Sequence, residues 1–316
     1  MPKYRYGPDH PETTYVPHAY AESRVDLGEI AMNYAVAGDG ASPALLLIPG
    51  QATSWWDYEQ IMQALEADFR IFAVDLRGQG RSSRTPGRYT LDNMGNDLVR
   101  FIQSVVRRPT MVVGHSSGGV LAAWLAAYAP PGLVKAVYLE DAPLFSMQLA
   151  PACGHGIRQT AVGLLLALRC AYLGDQWSIS DWRGMLEAAP SILPDWMHPW
   201  LPALEDPPQR LREYDPEWAR ACCEGTLSAS CDHAQMLKSV KTPVLFSHHF
   251  RGVDADNRLL QGAISDLQVS YARKLVEGAG QRFDYRSFPE IGHAMHAEAP
   301  ERYVELVRRW GMEPRG

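Results

Sequence analysis

Gly114-His115-Ser116-Ser117-Gly118 sets two serines between glycines, behind the apolar run Met111–Val113 and ahead of the alanine-rich stretch Val120–Ala129. The spacing Gly-x-Ser-x-Gly centres on Ser116. A serine at such a position is a nucleophile when the chain turns sharply from strand to helix and projects the hydroxyl above the sheet. The turn crowds the positions two before and two after the serine, which therefore favour glycine. Centred on Ser117, those positions would be His115 and Gly119, and the bulk of His115 argues for Ser116. Ser117 then begins the next helix, and its backbone N–H faces the place where negative charge develops on an attacked carbonyl. A second donor is expected from the loop after "LLLIPG", the N–H of Gln51 beside Gly50. The chemistry implied is acyl transfer, with each oxyanion donor worth roughly 3 kcal/mol in the transition state. The pentapeptide also arises by chance in Gly/Ser-rich turns, so its weight rests on the strand before it and the helix after it.

A serine hydroxyl needs a base, and the base needs an acid to orient it. In a site of this kind the chain order is nucleophile, acid, base. His293, in "FPEIGHAMH" after the last apolar strand pattern, is the expected base. His296, three residues on, suits a packing role. The acid is open among three carboxylates. Glu140 and Asp141 follow "AVYL", and Asp254 lies on a polar loop after "VLFSHH". Alternation along a strand sends only one of Glu140 and Asp141 toward the site. Asp141 is the first choice, Glu140 the second, Asp254 the third.

These residues need a sheet to hold them. Apolar runs of strand length alternate with helical patterns, the mark of an α/β fold with a mostly parallel central sheet flanked by helices. Strands are expected within Ser23–Gly38 (two, joined at Gly28), Ala44–Gly50, Arg70–Ser83, Thr110–Gly114, Leu133–Pro143, Thr242–His249 and Arg282–His293. Helices are expected over Trp56–Phe69, Leu91–Val106, Ser117–Ala129, Ser265–Gly280 and Pro300–Trp310. From about 144 to 240 no strand pattern appears, and Trp177, Trp182, Trp196, Trp200 and Trp218 lie among many prolines. The domain organisation is therefore a core of 1–143 plus 241–316, interrupted by a helical cap over 144–240.

The 316 residues carry a net charge of −6, with 46% hydrophobic and 21% charged residues. That balance fits a globular chain and argues against nucleic acid or an anionic membrane as partner. No apolar run is long enough to span a bilayer, and the polar, proline-rich N-terminus lacks the apolar stretch of a signal peptide. Five cysteines, an odd number without a C-x-x-C, fit a reducing cytoplasm and no disulfide framework or zinc site. No cofactor is expected. A metal at His248 and His249 with Asp254 and Asp256 is conceivable by residue type, but adjacent histidines at a strand end point to opposite faces. Self-association into a homo-oligomer is left open.

The elbow, the order Ser116 to His293 and the insertion after "LEDAP" resemble the α/β-hydrolase superfamily, across nearly the whole chain. "RGQGRSS" resembles that superfamily's R-G-x-G-x-S loop, and Pro49-Gly50 stands where many members carry His-Gly. Within it the chain is similar to the zearalenone hydrolases, lactonases that open a macrocyclic resorcylic lactone. The similarity lies in "SWWDYE", "YTLDNMGNDLVRFI", "SSGGVLAAWLAAYA", "EDAP", "LGDQWSISDW", "EYDPEWARA" and "KTPVLFSHH" with "SDLQ". It implies an acid at Asp141, in Asp141-Ala142-Pro143, while members with glutamate keep Glu140 open. It implies that Trp218 contacts the lactone; Gly50, beside Gln51, is likewise expected to bind substrate. The implied reaction is ester hydrolysis through an acyl-enzyme, after which the opened resorcylic acid loses CO₂ unaided. Carbon–carbon bond hydrolases, general carboxylesterases and perhydrolases share the same triad. Epoxide hydrolases and dehalogenases need a carboxylate nucleophile, which Ser116 is not. A non-catalytic small-molecule receptor is the alternative of another class.

Overall fold

A computed structural model describes residues 18–148, 162–173, 182–193, 195–200, 213–255 and 260–313. Its centre is a sheet of strands β1 (Glu22–Asp26), β2 (Ala31–Ala37), β3 (Ala44–Ile48), β4 (Arg70–Val74), β5 (Thr110–His115), β6 (Val134–Glu140), β7 (Val244–His248) and β8 (Phe283–Ser287). The order is β1-β2-β4-β3-β5-β6-β7-β8. β2 runs antiparallel to β1 and β4, and all other pairs are parallel. The β1–β2 turn passes through Gly28 at φ +94°, where a left-handed backbone favours glycine.

Every residue of β3 and β5 is buried, as their unbroken apolar runs require when both sheet faces are covered. Alternation divides β3 between two cores. Leu46 and Ile48 enter one cluster, Leu45 and Leu47 the other. The first is closed by α2 (Leu91–Phe101) and α3 (Ser117–Tyr128). The second is closed by α1 (Glu59–Leu65) and the last described helix α9 (Pro300–Met312), through Ile61, Leu65, Val307 and Trp310. α8 (Asp266–Gly278) starts with a full capping box, Ser265 and Gln268 satisfying each other's backbone N–H.

Two expected helices are divided. Trp55–Tyr58 forms a 3-10 turn before α1, and α2 gives way to a π turn over Ile102–Val106. The wider turn keeps both Ile102 and Val106 in the core, and Arg107 closes it at φ 58°.

Between β6 and β7 the described residues hold α4 (Val162–Leu173), α5 (Trp182–Ile192), α6 (Glu217–Cys223) and α7 (His233–Lys238), with 3-10 turns and no strand. Leu166, Leu168, Met185 and Trp218 join the same apolar cluster as α2 and α3. α7 packs on α3 and α8, so it lies against the sheet's own helices although it precedes residue 241. Trp177 lies outside the described residues. Among the described residues, no helix is long and apolar enough to cross a membrane.

Candidate active site

β5 ends at His115, and Ser116 makes the turn into α3 at φ 53°, ψ −121°. Such a backbone costs a non-glycine residue on the order of 1–3 kcal/mol and persists only where its surroundings impose it. They do so here. A Cβ on Gly114 would overlap the Gly118 carbonyl, and one on Gly118 would stand 2.6 Å from the Pro49 carbonyl oxygen. One on Gly119 would stand 2.7 Å from the Ala142 Cβ. The elbow is wedged between the ends of β3 and β6.

The loop after β3 closes on the same residue. A Cβ on Gly50 would lie 2.8 Å from His115 Nδ1 and 3.2 Å from the Ser116 Cβ, so the Gly50 backbone runs directly beside the serine. Ala52 is held at φ 59°. Its N–H donates to Gln79 Oε1, as does that of Thr53 at 3.3 Å, while the Thr53 hydroxyl donates to the Gly50 carbonyl at 2.9 Å. Gln51 reaches the other way, its side-chain amide donating to the Tyr214 hydroxyl at 2.7 Å. Gln79 and Tyr214 are absent from the sequence-based expectations. The first lies inside "RGQGRSS", and nothing local in that loop says its amide will buttress residues 52 and 53.

The loop of Gln79 is itself anchored by Asp75 at the end of β4. Asp75 accepts from the N–H of Trp55 at 2.8 Å, the Asn33 amide at 2.8 Å and the N–H of Arg81 at 3.0 Å. Burial pushes its carboxyl up to about 6 against those donors.

Asp141 and His293 meet. His293 Nδ1 stands 2.7 Å from Asp141 Oδ2, leaving Nε2 as the nitrogen able to exchange a proton. The other carboxylate oxygen accepts the His249 N–H at 3.1 Å. Burial works to raise the Asp141 carboxyl, but the His293 hydrogen bond and charge outweigh it and hold it below its ordinary value. His293 keeps 26% of its side chain exposed, whereas Asp141 keeps 2%, so the base is open and its orienting acid is shielded. The His293 ring lies 4.7 Å from that of His115, the residue before Ser116.

Glu140 serves another histidine. It accepts the N–H of His296 at 3.0 Å and faces His296 Nδ1 at 2.9 Å. Burial would raise Glu140, but His296 and His115 bring it down to about 2. His296 shifts upward, since Glu140 outweighs its burial, while His115 is pushed well below its usual value by burial. His115, Glu140 and His296 are the one group of three metal-ligating side chains among the described residues, with ligand atoms within 4.8 Å of one another.

The remaining candidates are held by other partners. Asp254 accepts from the Gln261 amide at 3.3 Å. Asp256 lies outside the described residues. His248 bonds the Ile264 carbonyl and the Tyr285 hydroxyl, and His249 bonds the His293 carbonyl and the Ser247 hydroxyl. The two rings are thus engaged with different partners, which leaves them no common ligand. Trp218, the expected lactone contact, lies in α6. The side chain is fully buried and its indole N–H donates to the Arg77 carbonyl at 3.1 Å, so that donor is already committed. Tyr214 and Cys222, from the same segment, are the side chains that reach Gln51.

Residues 43–154 match the protein family described as alpha/beta hydrolase fold. The chain is 27% identical to human epoxide hydrolase 4 over 128 residues, 40% of this chain and 34% of that protein. It is 24% identical to 3-oxoadipate enol-lactonase 2 of Acinetobacter baylyi over 220 residues, 69% of this chain and 74% of that one. The match thus spans about a third of the epoxide hydrolase's length and three quarters of the enol-lactonase's. The crystal structure of E-2-(acetamidomethylene)succinate hydrolase superposes with a TM-score of 0.63 at 21% identity, covering 91% of this chain and 97% of that one. At that identity the likeness is one of fold.

Proposed function

We propose that this chain, which has the α/β-hydrolase fold, is a serine hydrolase that opens a macrocyclic resorcylic lactone of the zearalenone type. The observation that carries the hydrolase reading is the buried Asp141 carboxylate, 2.7 Å from the Nδ1 of a partly open His293, next to an elbow that holds Ser116 at φ 53°. His293 Nε2 takes the Ser116 proton as the oxygen attacks the ester carbonyl. The N–H groups of Ser117 and Gln51 receive the oxyanion. His293 returns the proton to the leaving alkoxide, which opens the ring, and water then frees the acyl group. Asp141 holds the imidazole in the correct tautomer and stabilises its cationic form.

The likeness to an enol-lactonase supports ester or lactone hydrolysis as the broader class. The macrocyclic lactone rests on the sequence stretches "LGDQWSISDW" and "EYDPEWARA", both between β6 and β7 in the chain. Epoxide opening through a covalent ester would need a carboxylate at position 116, where this chain has serine.

The test is mass-spectrometric turnover of zearalenone beside simple aryl esters, with Ser116→Ala as control. The expected result is ring opening by the wild type and a loss of at least about 10⁴-fold in the variant. Retention of most of the rate by the variant rules out the covalent route. Turnover of simple esters alone would keep the hydrolase and remove the lactone.

A further inference from the structure

We propose that His249 is a positioning residue that locks the base and its acid into one frame, with His115 bracing the same point from the other side. The proposal rests on the assignment of Ser116, His293 and Asp141 made above. Its basis is the backbone carbonyl of His293. That oxygen stands 3.1 Å from His115 Nε2 and 3.2 Å from His249 Nδ1. A carbonyl only accepts, so each ring carries its proton on the nitrogen facing it.

The partners of His249 agree with that tautomer. Its Nε2 lies 2.9 Å from Ser247 Oγ, and Ser247 Oγ lies 2.9 Å from the Tyr138 hydroxyl. Tyr138 donating to Ser247, and Ser247 to Nε2, leaves Nδ1–H for the His293 carbonyl. The main chain of His249 then completes a ring of hydrogen bonds. Its N–H donates to Asp141 Oδ1, Asp141 Oδ2 takes His293 Nδ1, and the His293 carbonyl takes the His249 ring. The side chains of both clamping histidines are buried. A triad needs a carboxylate on the imidazole; it does not need two buried imidazoles on that residue's carbonyl. What they add is a fixed backbone origin for the side chain that must move a proton, where a misplacement of about 1 Å can cost about 10²-fold in rate.

The experiment compares wild type, His249→Ala, His249→Asn and His115→Gln in kcat, KM and pH–rate profile with p-nitrophenyl butyrate, and in the labelling rate of Ser116 by a fluorophosphonate. Asn places an amide donor where Nδ1 stood, and Gln places one where Nε2 of His115 stood. His249→Ala should lower kcat and labelling by about 10- to 100-fold with KM within about twofold. His249→Asn and His115→Gln should stay within about threefold of wild type. An Ala variant with wild-type kcat, or an Asn variant as slow as Ala despite equal thermal stability, overturns the proposal. Should the Ala variant fail to fold, ¹⁵N spectra of the wild type decide. An Nδ1–H tautomer at His249 supports the clamp, and an Nε2–H tautomer overturns it. A wild type that neither turns over ester nor takes the label overturns the hydrolase assignment itself, a result visible before any variant is made.

Discussion

Glu140 and Asp141 are neighbours in the chain, yet their carboxylates hold different histidines, His296 and His293. Only the second is partly open, so the two acids should fail in different ways. Asp141→Asn should lower kcat by about 10³- to 10⁴-fold while the protein still folds, because the imidazole loses the partner that fixes its tautomer. Glu140→Gln should leave His296 short of its counter-charge and cost about 3–5 kcal/mol of stability, with a smaller effect on kcat. Parallel kcat values and urea midpoints check both. Equal loss of kcat in the two variants would undo the division of labour.

Gly50→Ala asks whether the loop beside Ser116 can yield. The new Cβ would meet His115 Nδ1 at 2.8 Å, so the loop or the ring must shift by some tenths of an ångström. Since oxyanion donors act only when well placed, kcat should fall by about 10- to 100-fold with near-native stability. Comparison of kcat with thermal unfolding separates a displaced donor from a damaged fold.

Gln79→Leu removes the acceptor shared by the N–H groups of Ala52 and Thr53. The buried N–H of Ala52 would be left unpaired, at roughly 1–3 kcal/mol, and the half-buried N–H of Thr53 would lose its partner as well. The loop that carries Gln51 would lose its prop. A loss of both stability and kcat is expected, with KM for a small ester nearly constant. An unchanged kcat would show that residue 79 does not act on the oxyanion loop.

His233 gives a pH signature. It is fully buried, and its Nδ1 accepts the N–H of Phe145 at 2.9 Å, so it must be unprotonated there. Burial lowers it to about 4, below the value near 6.5 of an unfolded histidine. Between those values the unfolded chain binds the extra proton. This contribution to stability is therefore present above about pH 6.5 and lost as pH falls toward 4, by about 3 kcal/mol. Urea unfolding of wild type against His233→Asn, whose Oδ1 can take the same N–H, should show an acid loss larger in the wild type by that amount, since buried His115 and His248 contribute theirs in both. The same slope in both would place the proton uptake elsewhere.

The sheet was legible in the sequence because its central strands are buried on both faces and read as unbroken apolar runs, as in Ala44–Ile48. The elbow was legible because backbone crowding leaves room only for glycine at 114 and 118. The choice between Glu140 and Asp141 was not, since alternation holds only inside a strand. β6 ends at Glu140, and Asp141 turns out of it at φ 44°, so both carboxylates enter the same cluster at different histidines. The buttress from Gln79 and the clamp from His249 join loops separated by tens of residues, and no local pattern encodes such a meeting. The hydrogen bond from the Trp218 indole to the Arg77 carbonyl is of the same kind, joining residues far apart in the chain.

Ser116 follows β5, Asp141 follows β6, His249 follows β7, and His293 comes after β8, the strand at the sheet's edge. The proposed triad therefore depends on an edge strand as much as on the central ones. Under that reading, a chain recovering from denaturant could cleave an ester only once β8 had docked. Recovered turnover would then report the docking of β8.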